Sequence, residues 1–280
     1  MMDIGVMSGL QADGRNTDAV AEFGLTCCQV NSWDMALCTA EIARKCKAAA
    51  REKGVRITAY WGGVPGPAVW NFIDGPVTLG LVPPDYRWAR IQALKQWADF
   101  TVELGAPALV THCGFIPESP TYPDYAPTFQ AIRQVAQYCK AKGIEFWFET
   151  GQETPLTLLR VIQDLEASDG LDNLGINLDC GNLILYGRGN PIDSLDVFGR
   201  YVRCIHAKDA FYPTNGRELG HEVRVGTGKV NFPEFLRKLH AIGFTGDLII
   251  EREISGAQQR MDIQQTVQDL KKWRADILAK

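Results

Sequence analysis

Short apolar segments alternate with longer segments of helical periodicity along this chain of 280 residues. Eight of the short segments have the length and composition of buried β-strands, and in most of the intervening segments apolar residues recur every three or four positions. The strands are predicted at residues 3–7, 27–32, 56–61, 108–113, 145–149, 174–179, 202–208 and 247–251. Strands that alternate with helices in this way are typical of a parallel sheet.

The helices are predicted at residues 18–23, 40–53, 85–104, 125–142, 154–167, 194–200, 232–242 and 258–279. Several strands are preceded by a glycine that would end the helix before it, namely Gly54, Gly105, Gly143 and Gly243. Eight strand–helix pairs in one chain predict an α/β fold, a (β/α)8 TIM barrel that forms a single domain over residues 1–280. An open doubly wound sheet is the weaker alternative, because no Gly-x-Gly-x-x-Gly turn follows the first strand.

The composition, with 46% hydrophobic and 22% charged residues, is that of an ordinary globular protein. Because nucleic acids and anionic membranes bind basic surfaces, the net charge of −4 disfavours both as partners. The sequence shows neither an apolar run of the ~20 residues that span a membrane nor a signal peptide. Its eight cysteines include no Cys-x-x-Cys pair. We therefore expect free thiols and a cytoplasmic protein.

The last four predicted strands each carry, near the C-terminal end, a side chain that can bind a metal ion. These residues are Glu149, Asp179, His206 and Glu251. A charge at such a position is costly to bury unless it is neutralised. A single buried acid would be explained by an ion pair with a lysine or arginine. For three carboxylates and an imidazole that converge at one barrel mouth, a single divalent cation is the simpler explanation.

Side chains alternate across a strand, so the strand ends also predict which neighbours face the interior of the barrel. The residues predicted to face inward are Trp147, Asn177, Cys204 and Ile249. Those predicted to face the helices are Phe148, Leu178, Ile205 and Ile250. Oxygen-rich ligation with one nitrogen favours Mn²⁺, with Mg²⁺, Co²⁺ and Zn²⁺ as alternatives. Such an ion would polarise a substrate carbonyl, and Glu149 and Glu251 would move a proton beside it through an enediolate.

Two connections, residues 62–84 and 210–231, are longer than usual for this kind of fold. Both follow predicted strands. In a barrel they would therefore lie at the C-terminal mouth, where barrel enzymes hold their active sites. We expect both connections to act as lids over a site at that mouth.

The motifs around the four residues resemble those of the xylose isomerase-like TIM barrels, which include sugar isomerases and ketose 3-epimerases. The resemblance extends over essentially the whole chain. It rests on Phe-Glu-Thr-Gly-Gln-Glu at 148–153, Leu-Asp-Cys-Gly-Asn at 178–182, Ile-His-Ala-Lys-Asp at 205–209 and Ile-Glu-Arg-Glu at 250–253. It implies that Glu149, Asp179, His206 and Glu251 bind one metal ion, and that the two glutamates exchange the substrate proton.

The resemblance also implies a sugar contact from Arg224, because Arg224-Val225-Gly226 is similar to a turn that contacts the sugar in the epimerases. Where the epimerases carry a histidine three residues after the aspartate ligand, this chain has Asn182, so their hexose specificity is not implied. The residues that we expect to contact a substrate are His112, Gln152, Asn182, Lys208, Arg224 and Trp61. For three of these a structural role is the alternative: a hydrogen bond for His112, a carboxylate partner for Lys208 and packing for Trp61.

These features predict a metal-dependent isomerase or epimerase that acts on a small carbohydrate. A lyase or dehydratase acting on a keto-sugar or cyclic polyol stays open, because it would begin with the same proton abstraction. Apurinic endonucleases share the barrel but use a zinc site rich in histidine, and this chain has four histidines in all. A non-catalytic sugar-binding barrel is also disfavoured, because binding alone does not require a metal cage. The sequence leaves a homo-oligomeric state open.

Overall fold

Eight parallel strands hydrogen-bond side by side into a closed barrel in the computed structural model, which describes residues 2–278. The barrel strands are β1 (Ile4–Gly9), β2 (Cys27–Ser32), β3 (Arg56–Gly62), β4 (Ala108–Thr111), β5 (Glu145–Glu149), β6 (Leu174–Asp179), β7 (Val202–Ala207) and β10 (Asp247–Ile250). They follow one another around the barrel in chain order, and β10 closes it by pairing with β1. The predicted (β/α)8 barrel is confirmed. Residues 1, 279 and 280 of the predicted domain lie outside the described residues.

Helices connect the strands and surround the barrel. They are α1 (Asp18–Glu22), α2 (Ala40–Glu52), α3 (Gly75–Thr78), α4 (Pro84–Leu104), α5 (Tyr125–Ala141), α6 (Pro155–Asp169), α7 (Cys180–Leu185), α8 (Pro191–Phe198), α9 (Phe232–Ala241) and α10 (Ala257–Leu278). The eight predicted helices are all present, with ends shifted by at most three residues. The short helices α3 and α7 were not predicted. None of the described helices is long and apolar enough to cross a membrane.

The strands separate two layers of buried side chains, as the alternation predicted. One cluster lies inside the barrel and includes Trp147, Cys204 and Ile249. Their outward-facing neighbours belong to the larger core between the strands and the helices; these are Phe148, Leu178, Ile205 and Ile250. The alternation therefore directs the strand-end acids and the histidine toward the barrel axis.

The first long connection, residues 62–84, covers the C-terminal mouth and is held there by Arg90 of α4. The Arg90 side chain is fully buried, and its guanidinium donates hydrogen bonds to the carbonyls of Pro65, Pro67 and Gly80. Strand β4 ends at Thr111, two residues earlier than predicted, because the Cys113 carbonyl accepts a hydrogen bond from the backbone N–H of Leu81 in this connection.

The second long connection, residues 210–231, contains regular structure that the sequence did not predict. It takes part in an antiparallel hairpin of β8 (Asp209–Phe211) and β9 (His221–Val223). The buried carboxylate of Asp209 accepts hydrogen bonds from the backbone N–H groups of Ala210, Gly226, Gly228 and Val230. The two connections meet where the backbone N–H of Phe72 donates to the carbonyl of Arg217 over 3.0 Å.

Candidate active site

Four side chains from adjacent barrel strands meet at the C-terminal mouth. They are Glu149 on β5, Asp179 on β6, His206 on β7 and Glu251 directly after β10. Each contributes one potential ligand atom, and these four atoms lie within 4.8 Å of one another. Nδ1 of His206 lies 2.8 Å from Oε1 of Glu149, 3.1 Å from Oε2 of Glu251 and 3.6 Å from Oδ2 of Asp179. The group predicted from the strand ends is therefore assembled in the fold.

Three atoms at the centre of this group are buried and have no hydrogen-bond partner among the described residues: Asp179 Oδ2, His206 Nδ1 and Glu251 Oε2. Buried polar atoms without partners are costly, by roughly 1–3 kcal/mol each. One divalent cation at the point where they converge would satisfy all three, and the carboxylate and imidazole donors suit such an ion. The residues present therefore fit a metal ion.

Asp179 has two roles at the end of β6. Its Oδ1 accepts a hydrogen bond from the backbone N–H of Asn182 over 2.7 Å and so caps the N-terminus of α7. This bond holds the carboxylate so that Oδ2 faces His206. The cap explains why a short helix begins directly after the strand.

The orientation of His206 depends on Gln29, a fully buried residue on β2 that the sequence analysis missed. Oε1 of Gln29 lies 2.7 Å from Nε2 of His206, and Nε2 of Gln29 donates to Oδ1 of Asn177 over 3.1 Å. Because an amide oxygen only accepts, Nε2 of His206 carries the hydrogen and Nδ1 turns toward the carboxylates. The available signal was a polar residue at an inward position between the apolar residues Cys28 and Val30 of β2.

The pKa values of the three carboxylates differ because their surroundings differ. Burial raises the pKa of Asp179 to about 7. Burial also acts to raise the pKa of Glu149, but the imidazoles of His112 and His206 outweigh it and lower that pKa. Lys208 and His206 outweigh burial in the same way and hold the pKa of Glu251 well below its usual range. The two glutamates are therefore ionised near neutral pH, as proton acceptors must be.

His112 and Trp61 both bind the same oxygen of Glu149. Nε2 of His112 lies 3.0 Å from Oε2 of Glu149, and the indole N–H of Trp61 donates to this oxygen. These contacts leave Oε1 of Glu149 facing His206. Both residues thus position a carboxylate, and their predicted contact with a substrate stays a prediction.

A cavity of about 300 Å³ opens above the group, and the first connection forms part of its wall. It is lined by Met7, Asn31, Trp33, Trp61, Ala68, Trp70, His112, Glu149, Glu251 and Glu253. The first connection therefore lies over the site, as predicted. Asn31 lies near the end of β2 and Trp33 directly after it, and neither was singled out from the sequence.

The other four predicted substrate contacts, Gln152, Asn182, Lys208 and Arg224, are not among the residues that line this cavity. Gln152 and Asn182 are buried, and Gln152 donates to the hydroxyl of Tyr186 over 3.1 Å. Lys208 is also buried, with Nζ 2.8 Å from Oε2 of Glu253 and 3.6 Å from Oε2 of Glu251, which fits the alternative of a carboxylate partner. Arg224 instead donates to Asp269 of α10 over 2.7 Å, so its role toward a substrate stays a prediction.

Comparisons with known proteins agree with this architecture. The family model for the xylose isomerase-like TIM barrel matches residues 17–275. The crystal structure of a xylose isomerase domain protein from Planctomyces limnophilus is 35% identical, with a TM-score of 0.92, and the match covers 100% of this chain and 99% of that one. A D-tagatose 3-epimerase-like protein, 20% identical over 99% of each chain, shares the fold with a TM-score of 0.75.

A more distant sequence relative is an uncharacterised protein of Methanocaldococcus jannaschii, which is 27% identical over 182 residues. That match covers 60% of this chain and 58% of the relative, so it spans less than two thirds of the relative's length. The family model, by contrast, spans nearly all of the barrel. The chain therefore belongs to the xylose isomerase-like TIM barrel family.

Proposed function

We propose that the protein is a divalent-metal-dependent isomerase or epimerase of a small carbohydrate. The observation that carries this proposal is the convergence of Glu149, Asp179, His206 and Glu251 on one point below an open cavity. The unpartnered buried atoms of this group support a bound cation. The structural similarity to a D-tagatose 3-epimerase-like protein supports a sugar as the substrate.

Glu149 and Glu251 are placed to act on opposite sides of a substrate, because two barrel strands, β6 and β7, separate them. One carboxylate removes the proton from the carbon beside the carbonyl and leaves an enediolate. The other carboxylate, after it takes up a proton from solvent, delivers that proton to the opposite face and gives the epimer. Return of the proton to the neighbouring carbon by the first carboxylate gives the isomer. A divalent cation held by the four residues would supply Lewis-acid polarisation of the carbonyl.

The surrounding residues hold these two carboxylates in position. Trp61 and His112 hold Oε2 of Glu149, and Lys208 lies 3.6 Å from Oε2 of Glu251. The hydrogen bond between Phe72 and Arg217 joins the two long connections. Their position would limit the access of water to a reactive enediolate.

A lyase or dehydratase reaction is the second candidate, and one observation favours it. Glu253 lines the cavity beside the two catalytic candidates, and its Oε2 lies 2.8 Å from the buried ammonium of Lys208. The ammonium of this pair is a further hydrogen-bond donor close to the glutamates, which would assist the departure of a neighbouring hydroxyl. Both reactions begin with the same proton abstraction, so their products must distinguish them.

The test is deuterium uptake from D₂O by a panel of ketoses, keto acids and inositol derivatives, with Mn²⁺-loaded protein. Uptake together with an isomeric product is expected, whereas uptake with loss of water would identify a lyase. Elemental analysis of the wild type and of Asp179→Ala tests the metal site in parallel. Equal metal content in the two proteins would contradict the proposed ligands.

A further inference from the structure

Two tryptophans at the barrel mouth are exposed although they line the same cavity as the candidate catalytic glutamates. Trp33 follows β2 and is 43% exposed, and Trp70 lies in the first connection and is 42% exposed. Single exposed apolar side chains are common, but adjacent ones at the rim of a cavity are typical of a ligand-binding surface. We therefore expect a ligand to cover the two indoles.

The exposed indoles belong to a closed ring of four aromatic side chains. Trp33 contacts Trp61 with ring centroids 5.0 Å apart and Trp70 with centroids 6.1 Å apart. His112 completes the ring, with centroids 5.8 Å from Trp61 and 5.4 Å from Trp70. The inner two members, Trp61 and His112, bind Oε2 of Glu149. The aromatic surface thus runs without a break from a catalytic candidate to the outer rim.

Both exposed indoles are held in place before any ligand binds. Trp33 packs flat against Gly63, where a Cβ atom would lie 2.5 Å from the indole, so only glycine fits beneath this ring. The connection that carries Trp70 is fixed by the three carbonyl hydrogen bonds of Arg90. A preorganised surface of this kind binds a ligand at a low cost in conformational entropy.

The charge of the cavity indicates what kind of ligand would fit. Among the described residues, those that line it include Glu149, Glu251 and Glu253 and no lysine or arginine. The nearby ammonium of Lys208 is already paired with Glu253. A phosphate group would find no free cation in this lining, whereas a neutral ring with an apolar face would pack on the indoles.

We propose that Trp33 and Trp70 form an outer subsite that binds a second, neutral sugar ring, so that the preferred substrate is a glycosylated ketose. In this arrangement the ketose unit lies over Glu149 and Glu251, and the C–H face of the glycosyl unit packs on the two indoles. This inference rests on the proposed function. The inference adds that the substrate contains a second sugar ring and carries no charge.

The test compares D-fructose with its 4-O-glucosyl and 6-O-glucosyl derivatives, which retain the ketose carbonyl. With Mn²⁺-loaded protein, the kcat/KM for deuterium exchange is expected to be higher for at least one glucosyl derivative than for fructose. Trp33→Ala and Trp70→Ala should each lower the ratio of these two constants by about two- to tenfold, through KM, since an aromatic contact contributes ~0.5–1.5 kcal/mol. Trp33→Phe should restore most of the ratio.

Trp88→Ala is the matched control, because Trp88 is 69% exposed on α4 and does not line the cavity. It should leave the ratio unchanged. Equal exchange of free and glucosylated fructose, or an unchanged ratio in both alanine variants, would overturn the outer subsite while leaving the proposed function intact. An alanine variant that changes the oligomeric state but not the ratio would assign the indoles to a contact between copies and would also overturn it.

Calorimetric titration separates the two proposals if no probe exchanges deuterium. Absence of exchange counts against the proposed function alone. Tighter binding of a glucosyl fructose than of fructose, with this preference lost in Trp33→Ala, would still support the outer subsite. Failure of the wild-type protein to bind either glucosyl fructose would overturn it.

Discussion

The strand ends and the first long connection face the same cavity but are held by different interactions. Glu149 and Asp179 belong to barrel strands, and His206 is paired with Asp179 in the ladder between β6 and β7. Trp70 lies outside the regular strands and depends on the buried guanidinium of Arg90. The comparison separates two regions: the barrel strands position the candidate reacting groups, and the first connection supplies part of the cavity wall.

The largest effect should come from the strand ends. Glu149→Gln and Glu251→Gln preserve shape but remove a base, so each should lower the deuterium-exchange rate by ~10²–10⁴-fold while the fold is retained. Exchange kinetics and the melting temperature from circular dichroism measure the two effects. Wild-type turnover by either variant on the true substrate would refute the scheme with two carboxylates.

A substitution at Arg90 would disturb the first long connection without changing the residues at the strand ends. Arg90→Met leaves three carbonyls of the first connection without their donor, so Trp70 and Ala68 should lose their positions. We expect kcat/KM to fall by about 10–100-fold, since small displacements at an active site are costly. Metal content should stay at the wild-type level. Arg44→Met, on the exposed side of α2, is the control. Loss of metal from the Arg90 variant would show that the two regions are not separable.

Metal binding can be changed through a residue that is not itself a proposed ligand. Gln29→Leu removes the acceptor for Nε2 of His206, so the imidazole can adopt the wrong tautomer or rotate. Metal affinity should fall by roughly 10–100-fold, as is typical for partners of a metal-binding histidine. Titration of the metal-free protein with Mn²⁺ measures this change. A variant with wild-type affinity would mean that packing alone orients His206.

The last effect concerns stability, and not activity, at the turn after β5. Burial raises the pKa of Glu153 to about 8, well above its usual value, so the folded protein holds a proton there that the unfolded chain loses. This group therefore lowers the free energy of unfolding as the pH rises from about 4.5 to about 8. Glu153→Gln should remove that loss and stabilise the metal-free protein at pH 8.5 by a few kcal/mol, since one pKa unit corresponds to about 1.4 kcal/mol.

Urea unfolding of this variant at pH 5 and 8.5 checks the expectation, with Glu52→Gln on α2 as an exposed control. The advantage of Glu153→Gln over the wild type should grow between the two pH values. A difference of the same size at both would mean that the carboxyl does not titrate as described.

The barrel and the four strand-end residues could be predicted from the sequence because both depend on local regularities. Apolar periodicity separates strands from helices. Alternation along each strand determines which side chains face the axis, and it correctly placed Trp147 inside and Phe148 outside. Parallel strands in a closed barrel bring their C-terminal ends together, so the convergence of Glu149 and Glu251 follows from the fold class.

The contacts that orient the site residues could not be predicted from the sequence, because they join residues that are far apart in the chain. Gln29 contacts His206 across the barrel interior, 177 positions later in the sequence. Trp33 reaches the cavity only because Gly63 leaves room beneath its ring. Arg224 pairs with Asp269 because α10 packs beside its turn. Local periodicity carries no information about such pairs. The sequence by itself therefore determined the barrel and its reacting groups, and only the packing of distant elements decided how these groups are oriented and what surrounds them.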